Sequence, residues 1–315
     1  MNDIQRRATI SRDVIDGALR ATIAALEAAF PGRIRGYYVE GSYADGTGVA
    51  TSDLDLVVVF IGACDDVERA RAIHVGTSRT SIGAVEFDVV VTDEAELARG
   101  AYPTLKLGSQ CVYGEDIRDS LALLPIEEWT RQRMHAAYTL IVRVFDRPVP
   151  VRYPLNYPDP CGDYYGYDNR TVRLPDGRDV PSTRNLIRVT GWAATALLAL
   201  RANVYVARKS DCHAAYRRHI GGEWSDLLDD LYRRCRTEWR YLIPLSASDR
   251  AALRELCRRA LQFENHVLLV YRDYALSALR DGDQSARQAA LSVLERTPYH
   301  DDAIREAIQA ASYYT

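Results

Sequence analysis

The stretch Tyr38-Val39-Glu40-Gly41-Ser42-Tyr43-Ala44-Asp45-Gly46-Thr47-Gly48-Val49-Ala50-Thr51-Ser52-Asp53-Leu54-Asp55-Leu56-Val57-Val58-Val59 decides the fold of this chain. An apolar run stops at Gly41-Ser42, a short turn and helix follow, and a valine-rich run opens on Asp-x-Asp. In an extended strand, side chains two apart share a face, with Cα atoms about 6.5–7 Å apart. Asp53 and Asp55 therefore project to one side while Leu54 and Leu56 enter a core. Two like carboxylates held side by side repel unless a cation lies between them. A pair of hard divalent ions with oxygen ligands, about 3.5–4 Å apart, is the natural occupant.

Outward from this stretch, apolar residues at helical spacing (Ile10, Val14, Ile15, Ala18, Leu19, Ile23, Leu26) predict a helix over 3–29 that stops before Pro31-Gly32. Three runs read as strands: Ile34 to Val39, Leu54 to Ile61 and Ala84 to Thr92, with a helical stretch from Asp65 to His74 between the last two. Glu86 and Asp88 interrupt the third run two residues apart, and acids in an apolar strand are costly to bury without partners. Their best explanation is the same metal cluster, should this strand neighbour the Asp-x-Asp strand. Gly41 lets the backbone approach a ligand closely, and Ser42 begins a turn whose N–H groups and hydroxyl suit phosphate oxygens. Metals bridged to phosphates, with a carboxylate beside an acceptor hydroxyl, amount to a nucleotidyl-transfer site.

The texture changes after a predicted helix from Ile126 to Phe145. Residues 147–181 hold seven of the twelve prolines together with a Tyr/Asp stretch at 153–168, too aromatic to stay solvated, which predicts an ordered loop or hairpin. Acids among aromatic faces there suit a cationic or sugar-like acceptor. From Ser182 onward the period is helical, with candidates at 183–202, 210–219, 223–237, 247–276, 283–295 and 299–312. Ser182-Thr183 and Ser246/Ser248 are the expected N-caps of the first and fourth. The expected class is α+β: a small mixed-sheet domain over 1–125, a connecting helix and Tyr/Pro-rich loop over 126–181, and an all-helical domain over 182–315.

Composition narrows the function. The 315 residues carry 40 Lys plus Arg against 43 Asp plus Glu, a net charge of −3, which argues against a dedicated polyanion binder. Lysine is almost absent: Lys106 and Lys209 stand among 38 arginines, so each is worth checking for a role. Lys106, in Pro-Thr-Leu-Lys-Leu-Gly, reads as solvated, and the arginine-rich stretches 233–236 and 258–259 read as solvated helix faces. Six scattered cysteines without Cys-x-x-Cys fit free thiols in a reducing compartment. The apolar runs fall well short of the roughly twenty residues of a membrane span, and no secretory signal is visible, so the expected location is cytoplasmic.

Gly41-Ser42, Ser52-Asp53-Leu54-Asp55-Leu56 and the acidic third strand resemble the nucleotidyltransferase superfamily typified by DNA polymerase beta. Within it, the layout is similar to antibiotic adenylyltransferases of the streptomycin/spectinomycin type. Val112-Tyr113-Gly114-Glu115-Asp116, like the stretch that often closes such domains, and Thr183-Arg184-Asn185-Leu186 opening a long helix add to the likeness. The resemblance implies that Asp53 and Asp55 ligate magnesium, two ions in all, and that Gly41, Ser42 and Ser52 contact the triphosphate of ATP or another NTP. The third acid stays open between Asp88 as metal ligand and Glu86 as base, the former supported by Glu96 eight residues on. Lys209, flanked by Arg208 and Ser210, stands where such enzymes reach the triphosphate, whereas their preceding arginine has only Arg184 and Arg188 as candidates. The implied reaction moves AMP to a hydroxyl of a small acceptor of aminoglycoside type and releases pyrophosphate. Transfer to tRNA or to a protein, as by a toxin, and a non-catalytic nucleotide-sensing module are the alternatives.

Overall fold

The computed structural model describes residues 12–48, 52–77, 86–174, 177–296 and 299–312. The parts of the expected first helix at 3–11 and of the third strand at 84–85 lie outside the described residues. The chain divides into two units: Met1–Pro125 with Val172–Val180 and Tyr205–Asp211, and Ile126–Thr171 with Pro181–Val204 and Cys212–Thr315. The architecture is α+β, a four-stranded mixed sheet in the first unit and helices in the second.

The first unit runs α1 (Arg12–Ala29), β1 (Ile34–Glu40), the one-turn α2 (Gly41–Ala44), β2 (Leu54–Phe60), α3 (Asp66–Thr77), β3 (Phe87–Asp93), the one-turn α4 (Glu94–Leu97) and β4 (Gln110–Gly114). The order across the sheet is β3-β2-β1-β4. β2 and β3 are parallel, joined through α3, while β1 is antiparallel to both β2 and β4. Strand alternation divides the sheet's apolar side chains between two cores. Tyr37, Val39, Leu54, Leu56, Val58, Phe87, Val89 and Val91 pack with Leu26, Phe30 and Ala72 on one face. Tyr38, Val57 and Val59 pack on the other with Leu97, Ala101 and Leu105. Asp55 shares the second face with Val57 and Val59, which fixes where the acids emerge.

β4 is a strand that hydrophobic patterning does not reveal. It is a short edge strand, mostly exposed on both faces, so no apolar alternation marks it. Gly114 at its end has φ +82°, and a Cβ there would meet the Arg35 carbonyl oxygen at 2.5 Å. Lys106 is another departure. Its ammonium donates to the carbonyls of Arg118, at 2.9 Å, and Leu121, at 2.5 Å, so it pins a loop where a solvated lysine was expected.

The second unit contains α5 (Ile126–Arg143), α6 (Arg184–Ala202), α7 (Cys212–His219), α8 (Glu223–Asp230), the 34-residue α9 (Ala247–Arg280), α10 (Gln284–Arg296) and α11 (Asp302–Ser312). The run expected as one helix over 223–237 changes to π geometry over Leu231–Glu238. Ser246 caps α9 by accepting from the Asp249 N–H, whereas Thr183, at the N-cap of α6, turns its hydroxyl to the Tyr241 carbonyl. Arg170–Arg173 and Asp179–Ser182 pair as a hairpin, of which Val172–Val180 falls in the first unit. Inside this unit Arg147 and Glu264 form a buried ion pair at 2.6 Å, with Tyr167 Oη donating to the same carboxylate at 2.8 Å. All six cysteines are free. Among the described residues no helix is long and apolar enough to cross a membrane.

Candidate active site

The site lies in the first unit, where three neighbouring strands bring acids to one face. The parallel register sets Asp55 beside Asp88, and the antiparallel register sets Glu40 beside Asp55. Cross-strand partners point the same way, so Glu40, Asp55 and Asp88 form a row across β1, β2 and β3. Asp53, two residues before Asp55, joins the same face. Asp53, Asp55 and Asp88 each offer a carboxylate oxygen, and these oxygens lie within 4.8 Å of one another. Three hard anionic donors that close, unsuited to soft metals, fit a divalent ion such as Mg²⁺.

Glu86 is not among the three. It precedes β3, is exposed, and its carbonyl accepts the Leu54 N–H at 2.8 Å, which ties the start of β3 to β2. Glu96 is used elsewhere, pairing with Arg69 at 2.7 Å and accepting from Thr92.

Glu40 is the acid that sequence reasoning missed. It is half-buried at the end of β1, and burial together with the Asp55 charge pushes its carboxyl up to about 7, against a hydrogen bond with Thr104 and the nearby Lys209 charge. A signal was present: an acid closing an apolar strand immediately before Gly-Ser has no place in a core.

Gly41 and Ser42 open the one-turn α2 directly after Glu40. Gly41 has φ +65°, and a Cβ on it would lie 2.1 Å from Asp55 Oδ2. Both facts require glycine, because the backbone is in the left-handed region and the Asp55 carboxylate fills the space a side chain would need. Ser52 is buried just ahead of the Asp-x-Asp, and the Tyr43 hydroxyl donates to its carbonyl at 3.4 Å.

Lys209 also reaches this face. Tyr205–Asp211, expected within the helical region, belongs to the first unit, and Lys209–Asp211 forms a 3₁₀ turn ahead of α7. The Lys209 ammonium lies 3.7 Å from Asp55 Oδ2, and Ser210 Oγ donates to Asp45 Oδ2 at 2.8 Å.

Other expected residues have structural duties in the second unit. Arg184 is buried with its guanidinium 5.9 Å from the Tyr241 ring centre, while Arg188 is exposed. The Tyr/Asp stretch is ordered as expected, but arginines of α9 occupy its rings: Arg250 and Arg254 lie over Tyr164, and Arg258 over Tyr165. Asp163 pairs with Arg250 at 3.1 Å. The chain itself supplies the cations that an acceptor was expected to bring, so one of the arginines expected on a solvated face, Arg258, is partly engaged as well.

No protein-family model matches this chain, and no curated protein matches it. Solved structures are similar to it in fold. Spectinomycin adenyltransferase AAD(9) from Enterococcus faecialis, solved with ATP and spectinomycin, is 11% identical with a TM-score of 0.46, over 79% of this chain and 98% of that one. A protein from Sulfolobus solfataricus named as a nucleotidyltransferase is 20% identical with a TM-score of 0.23, over 33% of this chain and 90% of that one. A toxin–antitoxin structure with AMP-PNP is 21% identical with a TM-score of 0.24, over 32% of this chain and 77% of that one. At such identities and TM-scores nothing about this chain follows from them.

Proposed function

We propose that this chain is a magnesium-dependent nucleotidyltransferase. It moves AMP from ATP, or the corresponding monophosphate from another NTP, to a hydroxyl of a small-molecule acceptor such as an aminoglycoside and releases pyrophosphate. The observation that carries this reading is the convergence of Asp53, Asp55 and Asp88 oxygens within 4.8 Å, beside the Gly41-Ser42 turn.

Magnesium, when bound, neutralises phosphate charge and activates the attacking oxygen. Asp53, Asp55 and Asp88 hold it from one face. Ser42 and Ser52 bind the triphosphate through hydroxyl and backbone groups, and Gly41 leaves room for the carboxylate behind them. The Lys209 ammonium moves from Asp55 to the phosphates as they arrive, because added anionic charge competes for it. Glu86, exposed next to β3, takes the acceptor proton. Free thiols agree with a reducing cytoplasm as the place of reaction.

The test incubates the protein with ATP, GTP, CTP and UTP labelled at the α-phosphate, against aminoglycosides, tRNA and the protein itself. Magnesium-dependent label on an antibiotic, with pyrophosphate released, is the expected result. Label on RNA or protein while every antibiotic stays unmodified overturns the acceptor. Nucleotide binding without transfer to any acceptor in the panel favours a sensing module.

A further inference from the structure

The Lys209 side chain is 64% exposed, and its contact with Asp55 is a single ion pair of 3.7 Å. An exposed pair of that kind contributes little by itself. A long, solvated lysine stays at an acidic row because the backbone that carries it is fixed, and the structure shows how.

Tyr205 Oη donates to the Leu124 carbonyl at 2.6 Å, and Val206 is buried. The backbone of Ala207 then passes so close to Gly108 that a Cβ on Gly108 would lie 2.2 Å from the Ala207 carbonyl oxygen. Gly108 closes the π turn Thr104–Gly108, whose first residue is hydrogen-bonded to Glu40 of the acidic row. On the far side of Lys209, Ser210 Oγ donates to Asp45 Oδ2 at 2.8 Å. Asp45 is the C-cap of α2, the turn bearing Gly41 and Ser42, and its other oxygen accepts the Thr47 N–H at 3.0 Å. Lys209 is thus held on one side by a glycine that admits the Ala207 backbone two residues ahead of it and on the other by a carboxylate on the Gly-Ser turn.

We propose that Asp45 and Gly108 are positioning residues that hold Lys209 at the acidic row. Their value to catalysis rests on the nucleotidyltransferase reading; their effect on Lys209 does not. The Asp45–Ser210 bond makes the Gly-Ser turn and the lysine move as one body, which fixes the separation of two phosphate-facing groups before a nucleotide arrives.

The near-absence of lysine makes the test direct. Reductive methylation with ¹³C-formaldehyde labels Lys106, Lys209 and the terminal α-amine of the full chain, and loss of one resonance in Lys209→Arg assigns that of Lys209. In an otherwise native background, Asp55→Asn shifts the Lys209 resonance, because it removes the facing charge. The expected result is that Asp45→Ala, Ser210→Ala and Gly108→Val each reduce this Asp55-dependent shift by at least about half, while Asp45→Asn, which keeps an acceptor, preserves most of it. Ser210→Ala deletes only the donor and guards against a misfolded Asp45 variant, which circular dichroism identifies. An undiminished Asp55-dependent shift in folded Asp45→Ala and Ser210→Ala overturns the proposal. Mg·ATP titration of the native chain is read separately. Absence of binding there sinks the nucleotidyltransferase reading and leaves the resonance result to judge the positioning.

Discussion

Gly41 lies against the carboxylate of Asp55 so closely that a Cβ built on it would sit 2.1 Å from Oδ2. The contact sets the residue that follows β1 against the start of β2, beside a carboxylate that faces Asp53 and Asp88. Gly41→Ala must therefore displace the carboxylate and hold alanine at φ +65°, a conformation costing about 1–2 kcal/mol. The expected outcome is a modest fall in melting temperature with a loss of divalent affinity of more than about tenfold, since a displaced ligand costs at least what a displaced outer-shell partner does. Manganese titration calorimetry beside a thermal melt separates the two effects. Unchanged manganese affinity would show that Asp55 does not depend on this packing.

The acid row makes a second, graded prediction. Asp53→Asn, Asp55→Asn and Asp88→Asn should keep the fold, because removing one of several crowded like charges relieves repulsion in the metal-free protein. Each should lower pyrophosphate release by at least about a hundredfold, the scale on which lost transition-state stabilisation is felt. Glu86→Gln decides the open question of the third acid: a loss comparable with Asp88→Asn makes it the base, and a loss under about tenfold leaves it outside the chemistry. Full activity of Asp53→Asn or Asp55→Asn with magnesium and the true acceptor would sink the metal assignment.

Much of this was legible in the sequence for one physical reason: the acids stand where strand periodicity leaves no apolar alternative. Asp53, Asp55 and Asp88 follow from alternation once β2 and β3 are neighbours, and the crossover through α3 makes them parallel neighbours. Glu40 was not found, because its meaning depends on which residue it faces across β1 and β2, and register is a property of the paired strands. The role of Lys106 was hidden for a similar reason, since the carbonyls it binds belong to a loop twelve to fifteen residues away. Arg258 reads as part of a solvated helix face, and no local pattern announces that tyrosines of a distant loop lie beneath it and beneath Arg250 and Arg254.

The buried pair of Arg147 and Glu264 is expected to be the most sensitive point of the second unit. Both side chains are almost wholly shielded from water, and Arg147 also donates to the Ile141 carbonyl at 2.7 Å. Removing one partner strands the other charge, so Arg147→Met or Glu264→Leu should cost about 3–5 kcal/mol in chemical denaturation. Arg147→Met combined with Glu264→Leu should recover part of that loss, because an apolar pair carries no desolvation cost. A double variant as unstable as the sum of the singles would show that packing around the pair, and not charge pairing, sets its importance.

His135 is expected to add to the acid sensitivity of the same unit. It is buried on α5, its Nδ1 lies 2.8 Å from the Tyr271 hydroxyl, and the rings of Tyr271 and Tyr274 pack edge-on against it. Burial, reinforced by the Arg131 charge, pulls it from an ordinary 6.5 down to about 4. The unfolded chain then takes up this proton between pH 6.5 and 4 while the folded chain does not, so the contribution is complete above 6.5 and lost as pH falls toward 4. The slope over that window is about 1.4 kcal/mol per pH unit, or about 3 kcal/mol in all. His135→Phe keeps the aromatic packing but gives up the bond to Tyr271, so at pH 7.5 it should be less stable by about 1 kcal/mol. Its stability should fall less steeply on acidification, and the two curves should cross on the acid side of neutrality. Urea unfolding at half-unit steps from pH 7.5 to 4.5 checks this, and parallel curves would show that His135 is protonated in the folded protein as readily as in the unfolded one.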